Sequence, residues 1–365
     1  MSRPPLTFIV GTGRCGSTAL SDVLRLHPSV LSLSELLTTL EPGALPDGPV
    51  DGAEFWKLLA SSRPFADRMI REGTPVPEHL YAQRPGRFTG TAGVPALCLT
   101  TLPHLTDDPD ALFDVLRPEL SRRPSGPVAG HYRALFDALS ARCGGHAVIE
   151  RSGFSLSLVP RLRQHFPEAR FVHLHRNGPD CALSMSRHPG YRLLAMTSQL
   201  AEEDGENGEK AAELGRRLAD DDFDVSAALR HPLPLERFGT LWSRMITEGV
   251  AHLDALPADL RMSVAFEDVL ADPERELTRL AEHIGVRAEP DWLRAAGLLL
   301  DAGRPADRAA PPTAAQEALR DSCAPGTRAL TAASARDQRA REPGGPARPD
   351  RPDRTLRNLE SSGGH

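Results

Sequence analysis

Lysine is nearly missing from this chain: Lys57 and Lys210 are the only two among 43 basic residues in 365. Cationic roles therefore fall to arginine, which keeps its charge and offers a planar fork to phosphate or carboxylate. With 49 acidic residues and a net charge of −6, there is no basic excess of the kind a nucleic-acid partner needs. The five cysteines (Cys15, Cys98, Cys143, Cys181 and Cys323) are odd in number and lack CxxC spacing, a pattern of free thiols in a reducing compartment rather than of a disulfide framework. No apolar run is long enough to span a membrane, and the N-terminus enters its first strand without a signal-peptide core. These absences favour a cytoplasmic enzyme, and 40% hydrophobic residues allow one main domain with insertions. No internal repeat is evident. The arginine-dominated, Ala- and Pro-rich composition fits a bacterial source of high genomic GC content.

Against this background Leu6 to Glu35 stands out. Phe8-Ile9-Val10 is a short buried-strand pattern ending at Gly11. Ser17-Thr18 then open an amphipathic helix with Leu20, Val23 and Leu24 on one face, and a second strand follows. That order places backbone N–H groups at a helix N-terminus, facing any anion in the turn.

Three readings compete for the loop. A Walker A loop keeps the GxxxxG frame from Gly11, but Ser17 stands where the lysine belongs, so an ordinary nucleotide triphosphatase is disfavoured. A dinucleotide fingerprint is matched by Gly11, Gly13 and Gly16, with Glu35 where a ribose-binding carboxylate is expected; this would make an NAD(P)-binding oxidoreductase. The third reading employs Arg14, idle in the other two, as a bidentate ligand of a terminal 5′-phosphate.

A second segment, Glu168 to Pro189, repeats the strand, turn and helix order. The strand Phe171-Val172-His173-Leu174 leads into Arg176-Asn177-Gly178-Pro179-Asp180, and Ser184 lies eight residues beyond Arg176 in the following helix. Both side chains can reach one phosphate near the switch region of a parallel sheet. Asp180 is placed to cap the helix. A ligand with separated 5′ and 3′ phosphates uses both segments, whereas hydride transfer leaves the second one idle.

On these residues the chain resembles the PAPS-dependent sulfotransferases (PAPS is 3′-phosphoadenosine 5′-phosphosulfate), in their bacterial and protein-tyrosine branch. Gly13-Arg14-Cys15-Gly16-Ser17-Thr18 is similar to the family's 5′-phosphosulfate loop, and Arg176 with Ser184 to its 3′-phosphate motif. Val148-Ile149-Glu150-Arg151-Ser152 resembles its strand ending in a basic residue. Ala265 to Pro273, AFEDVLADP, resembles its YEDLxxDP element, followed by a helix from Glu274 to Ile284. Departures include Cys15 for serine, Ser17 for threonine and Arg151-Ser152-Gly153 for Lys-x-Pro. No GxxGxxK-like loop closes over the adenosine, for which Arg304 and Arg308 are weak stand-ins.

The resemblance implies an α/β, P-loop-like three-layer fold with a central parallel sheet and helices on both faces. It implies PAPS as co-substrate, no metal, and sulfuryl transfer to a hydroxyl or amine of a small-molecule, glycan or peptide acceptor. Glu35 would be the general base, Arg14 the 5′-phosphate ligand and Arg151 a stabiliser of the transferring group. Arg14, Cys15, Gly16, Ser17, Thr18, Arg176 and Ser184 would bind the donor. His104 and His131 are alternative bases, because another branch of the family uses histidine. His173 and His175 share one strand face, where packing beneath a helix explains them better than a metal does. A non-catalytic nucleotide-binding protein of the same fold is the further alternative.

The remaining chain is less legible. Residues 37–145 form a helical insertion expected to shape the acceptor pocket, with aromatics such as Phe55 and Trp56 in its core. The acidic stretch 202–224 reads as a solvated loop and helix. The main domain is expected to span 1–334, with one last helix from Thr313 to Cys323 stopped by Pro325-Gly326. From about Ala335 to 365 the sequence, rich in Pro, Gly, Arg and Asp, reads as a disordered tail. Neither the acceptor nor an oligomeric state is legible.

Overall fold

The computed structural model describes residues 5–74, 76–204, 209–219, 229–302 and 313–341. Its centre is a parallel sheet of five short strands: β1 (Leu6–Val10), β2 (Val30–Ser34), β3 (Ala147–Arg151), β4 (Arg170–His175) and β5 (Arg261–Ala265). Their spatial order is β2-β3-β1-β4-β5. Every residue of β1, β2 and β3 is buried, as expected for a parallel sheet covered on both faces, and this explains why β1 reads as an apolar run rather than an alternation. The fold class is the one expected, a P-loop-like α/β fold.

Register brings the chemistry-bearing ends of the strands together. Ile9 of β1 and Ser34 of β2 both lie opposite Arg151 of β3, and Val10 lies opposite His173 of β4. The turns leaving β1, β2, β3 and β4 therefore open on one edge of the sheet, the carboxyl edge where ligands of open α/β sheets bind. The order also decides against the dinucleotide reading. That fold sets the second strand beside the first, so that its terminal carboxylate reaches a ribose on the glycine loop; here β3 lies between β1 and β2.

Helices pack around this sheet. The first, α1 (Ser17–Arg25), buries Leu20, Val23 and Leu24, the face that the sequence pattern marks. A five-residue helix, α2 (Leu36–Leu40), follows β2 directly. The helical segments between Gly52 and Cys143 form the insertion, where Phe55, Trp56, Phe113 and Tyr132 are buried, Phe55 against Tyr132 and Trp56 against Phe113. The helix after β4, α3 (Gly178–Met185), is capped by Asn177, whose side chain accepts from the Asp180 N–H at 3.3 Å. Asp180 is not the cap; it sits in the first turn, 3.6 Å from Arg176. After β5, Asp272 caps the helix Pro273–Ile284 by accepting from the Arg275 N–H, a structural reason for its Asp-Pro pair.

The C-terminal segment differs from expectation. Instead of stopping at Pro325-Gly326, the last helix, α5 (Ala314–Arg341), continues through both residues and takes in 335–341. It packs along α4 (Leu235–Asp254), which buries Trp242. The Ser243 hydroxyl of α4 accepts from the Gly326 N–H at 3.2 Å and donates to the Ser322 carbonyl at 2.7 Å. A side chain from the neighbouring helix thus bridges the ladder where proline loosens it. Part of the acidic stretch, the Arg304 and Arg308 candidates and residues 342–365 lie outside the described residues.

Ser243→Ala leaves the Gly326 N–H and the Ser322 carbonyl without that bridge, and is expected to cost about 1 to 3 kcal/mol of stability. Urea denaturation measures it, and a variant as stable as the parent would contradict the bridging role.

Candidate active site

At the carboxyl edge lies a cavity of about 880 Å³, lined by the β1–α1 loop, the ends of β2, β3 and β4, helix α3 and the insertion. The loop conformation follows from its glycines. Gly13 and Gly16 have φ of 75° and 89°, which favours glycine. A methyl at Gly13 would overlap the Tyr191 hydroxyl, and one at Gly16 would overlap the Phe266 ring. Tyr191 in turn donates to the Thr12 carbonyl at 2.7 Å. Gly16 provides no side-chain cap for α1, so no side chain of the cap residue takes up the first N–H groups of that helix, whose Ser17 and Thr18 line the cavity.

Among the described residues, three that are not glycine adopt the left-handed region: Arg14 (φ 57°), Glu35 (φ 57°) and Phe154 (φ 56°). Each follows a different strand, and all three line the cavity. Such conformations cost about 1 to 3 kcal/mol each and concentrate at functional sites. In this chain they aim a guanidinium, a carboxylate and a ring at one space.

Arg14 donates from Nε to Ser184 Oγ at 3.2 Å and from Nη1 to Glu78 Oε1 at 2.9 Å. The loop arginine thereby touches the helix that carries the second motif, so the two anion sites inferred from sequence abut. Arg176 and Ser184 both line the cavity. The segment after β5 supports the same region: Phe266 packs on Gly16, and Glu267 Oε1 accepts the Asn177 N–H at 2.8 Å.

Glu35 is 8% exposed and Arg151 is 3% exposed, and the two form an ion pair. The second Glu35 oxygen accepts the Gly153 N–H at 2.9 Å. Burial pushes the Glu35 carboxyl above its ordinary value, although the Arg151 charge and the Gly153 hydrogen bond act against the shift. Arg151 also donates to Ser21 Oγ at 2.9 Å and to Ser34 Oγ at 2.6 Å. Its fork is thus engaged by Glu35, Ser21 and Ser34, and the side chain is buried with them. Neighbouring Glu150 is fully buried, and burial pushes its carboxyl up to about 7 while Ser152 and the Leu37 N–H donate to it.

Other sequence candidates lie elsewhere. Cys15 is buried off the cavity wall, and burial pushes its thiol up to about 11, so it packs under the loop rather than reacting. His104 is buried off the wall, and burial holds it down at about 3. His131 bonds to the Val50 carbonyl at 2.8 Å and stacks on Phe55 within the insertion. His173 is buried near His175, with ring centroids 5.2 Å apart. The histidines that reach the cavity are His79 and His188. Sequence reasoning passed over His188, which lies just beyond the helix that carries Ser184. It also passed over Glu78, which sits in an insertion without a recognisable pattern.

A family model described as the sulfotransferase family matches residues 5–290, and the chain belongs to that family. No curated protein matches it significantly. Among solved structures it is similar to the sulfotransferase domain from the curacin biosynthetic pathway, at 15% identity over 88% of this chain and 99% of that one, with a TM-score of 0.45. Sulfotransferase STF9 from Mycobacterium avium is similar at 15% identity over 90% and 76%, with a TM-score of 0.44. The sulfotransferase domain of the Synechococcus PCC 7002 olefin synthase shows 18% identity over 89% and 96%, with a TM-score of 0.37.

Removing Arg151 leaves Glu35 buried with its charge uncompensated, so Arg151→Met is expected to cost about 3 to 5 kcal/mol near pH 8. The pKa of Glu35 in the folded variant then rises further above its unfolded value. The loss should therefore shrink as pH falls toward the ordinary carboxylate range, where Glu35 is protonated in both states. Adding Glu35→Gln should recover part of it at pH 8. Equal losses at pH 5 and pH 8, with no recovery in the double variant, would contradict the pairing.

Proposed function

We propose that this chain is a PAPS-dependent sulfotransferase that transfers a sulfuryl group to a hydroxyl or amine of a small-molecule, glycan or peptide acceptor. The observation that carries the reading is the convergence, in one cavity, of Arg14, the uncapped N-terminus of α1, Arg176 and Ser184 with the carboxylate of Glu35. Family membership supports the same donor chemistry.

The residues present fit such a donor. Arg14 and the N–H groups at Ser17 and Thr18 suit the 5′ end, and Arg176 with Ser184 suits the 3′-phosphate. Bound PAPS would supply an activated sulfuryl group for in-line displacement, in which positioning and electrostatics provide most of the rate. Arg14 would offset charge developing toward the leaving side. Glu35, held by Arg151 and the Gly153 N–H, would accept the acceptor's proton. Its raised pKa suits that role, because a more basic carboxylate accepts a proton more readily. Arg151 acts through Glu35, and the Cys15 thiol takes no part, since it lies beneath the loop.

The insertion supplies Phe65, Val76 and Leu99 to the cavity wall, and the C-terminal half supplies Leu194, Leu270 and Leu300. These surfaces favour an acceptor with a substantial apolar body. Among the described residues no helix is long and apolar enough to cross a membrane, and no cluster of metal-ligating side chains is found. The five free thiols favour a cytoplasmic setting.

Arg176→Ala removes a charge-assisted contact of about 1.5 to 3 kcal/mol, so binding of PAP, the desulfated product, should weaken roughly ten- to a hundredfold; unchanged calorimetric affinity would remove Arg176 from the donor site. Glu35→Gln should keep PAP affinity and lose turnover. In the parent enzyme the acid limb of kcat/KM should lie above the ordinary carboxylate range, because activity needs Glu35 ionised and burial raises its pKa. Full activity in Glu35→Gln would exclude it as base, whereas a parent chain without turnover on any acceptor would favour a binding protein.

A further inference from the structure

One carboxylate in the cavity bridges two cationic or donor side chains that sequence reasoning never connected. Glu78 Oε1 accepts from Arg14 Nη1 at 2.9 Å, and Glu78 Oε2 lies 2.9 Å from His188 Nε2. The two donors come from different elements, Arg14 from the phosphate loop after β1 and His188 from just beyond the helix that carries Ser184. Glu78 comes from the insertion and belongs to neither phosphate element. The oxygens of a carboxylate and two oxygens of a phosphate or sulfate group are separated by similar distances, so donors that grip one such edge also grip the other.

We propose that Arg14 and His188 form a clamp for the donor's 5′-phosphosulfate end, and that Glu78 is an internal anion with which the donor exchanges. This rests on the donor reading given above and adds to it a further binding residue, His188, and a competing one, Glu78. The His188 ring is held in place by Tyr191, which it meets edge-on at 5.3 Å, and Tyr191 is itself bonded to Thr12 of the loop. Burial pushes the Glu78 carboxyl up, but the His188 hydrogen bond and charge and the Arg14 charge outweigh it and hold the group at about 2. Glu78 is therefore a full anion at neutral pH. A second anion cannot share the clamp with it without strong like-charge repulsion, so binding must turn the Glu78 carboxylate away from Arg14. That movement also takes a negative charge away from Glu35, whose carboxyl Glu78 raises.

The test titrates the parent, Glu78→Gln and His188→Phe with PAP and, separately, with inorganic pyrophosphate, using the full chain. Glu78→Gln removes the competing charge at constant shape and is expected to bind both probes at least threefold tighter. His188→Phe keeps a ring against Tyr191 and loses the donor, and is expected to bind both roughly tenfold more weakly; His188→Gln, which restores an N–H, should recover part of the loss. The same pattern with pyrophosphate but no binding of PAP to any form would uphold the clamp and overturn the PAPS reading. Parent-like PAP affinity in both Glu78→Gln and His188→Phe would overturn the clamp and leave the PAPS reading standing. Weaker binding in Glu78→Gln would also overturn it, by making Glu78 an organiser of Arg14 rather than a competitor. Should His188→Phe fail to fold, Glu78→Gln alone decides.

Discussion

The buried pair between Glu35 and Arg151 is the constraint on which the site depends. It joins the ends of β2 and β3, and Arg151 extends the tie to Ser21 of α1 and Ser34 of β2. Two ionised groups taken out of water are costly unless their remaining hydrogen-bond capacity is met. Here it is met by two serine hydroxyls and the Gly153 N–H. The geometry of the carboxylate is consequently fixed by the end of β3 and the turn that follows it, and Glu35 keeps its left-handed backbone because register and ion pair together over-determine it. Parallel strands with short C-terminal turns make this possible, since they deliver side chains from separate parts of the chain to one edge.

Much of this was readable from sequence because it is local. Phe8 to Val10 and Phe171 to Leu174 are apolar runs followed by turn residues, and Ser17 to Leu24 is an amphipathic helix; each is specified within about ten residues by its own pattern. The positions of Arg14, Glu35, Arg176 and Ser184 follow from such units once the strands are known to be parallel. What sequence could not give is the lateral order of the strands. The spacing of Gly11, Gly13, Gly16 and Glu35 satisfies a dinucleotide fingerprint, and only the insertion of β3 between β1 and β2 breaks it. Arg151 illustrates the same limit: its place at a strand end is legible, yet whether its side chain faces the cavity or the space beneath depends on Ser21 and Ser34, far away in sequence. The helix passing through Pro325-Gly326 was missed because its missing ladder contact is supplied by Ser243 of another helix, a tertiary override of a local stop signal. Glu78 and His79 lie in a stretch with no periodicity, and nothing local marks them as neighbours of Arg14 and His188.

The two halves of the cavity differ in physical character. The sheet edge contributes charge and backbone N–H groups held by short turns, the C-terminal half contributes Leu194, Leu270 and Leu300, and the insertion contributes both apolar side chains such as Phe65 and Leu99 and polar ones such as Arg63 and His79. On the proposed function, the polar sheet edge would serve the chemistry, which needs fixed geometry, and the surrounding wall the choice of acceptor, which needs shape. Glu78 is an insertion residue that reaches across to Arg14 and His188 and couples the two.

The most direct measurement is calorimetric titration of the purified protein with PAP, NAD and MgATP under identical conditions. Tight binding of PAP that needs no divalent metal, without binding of NAD, is the result expected of a sheet edge built around Arg14, Arg176 and Ser184. Binding of NAD without PAP would mean that Gly11, Gly13, Gly16 and Glu35 serve a dinucleotide after all, and that the donor site described here is wrong.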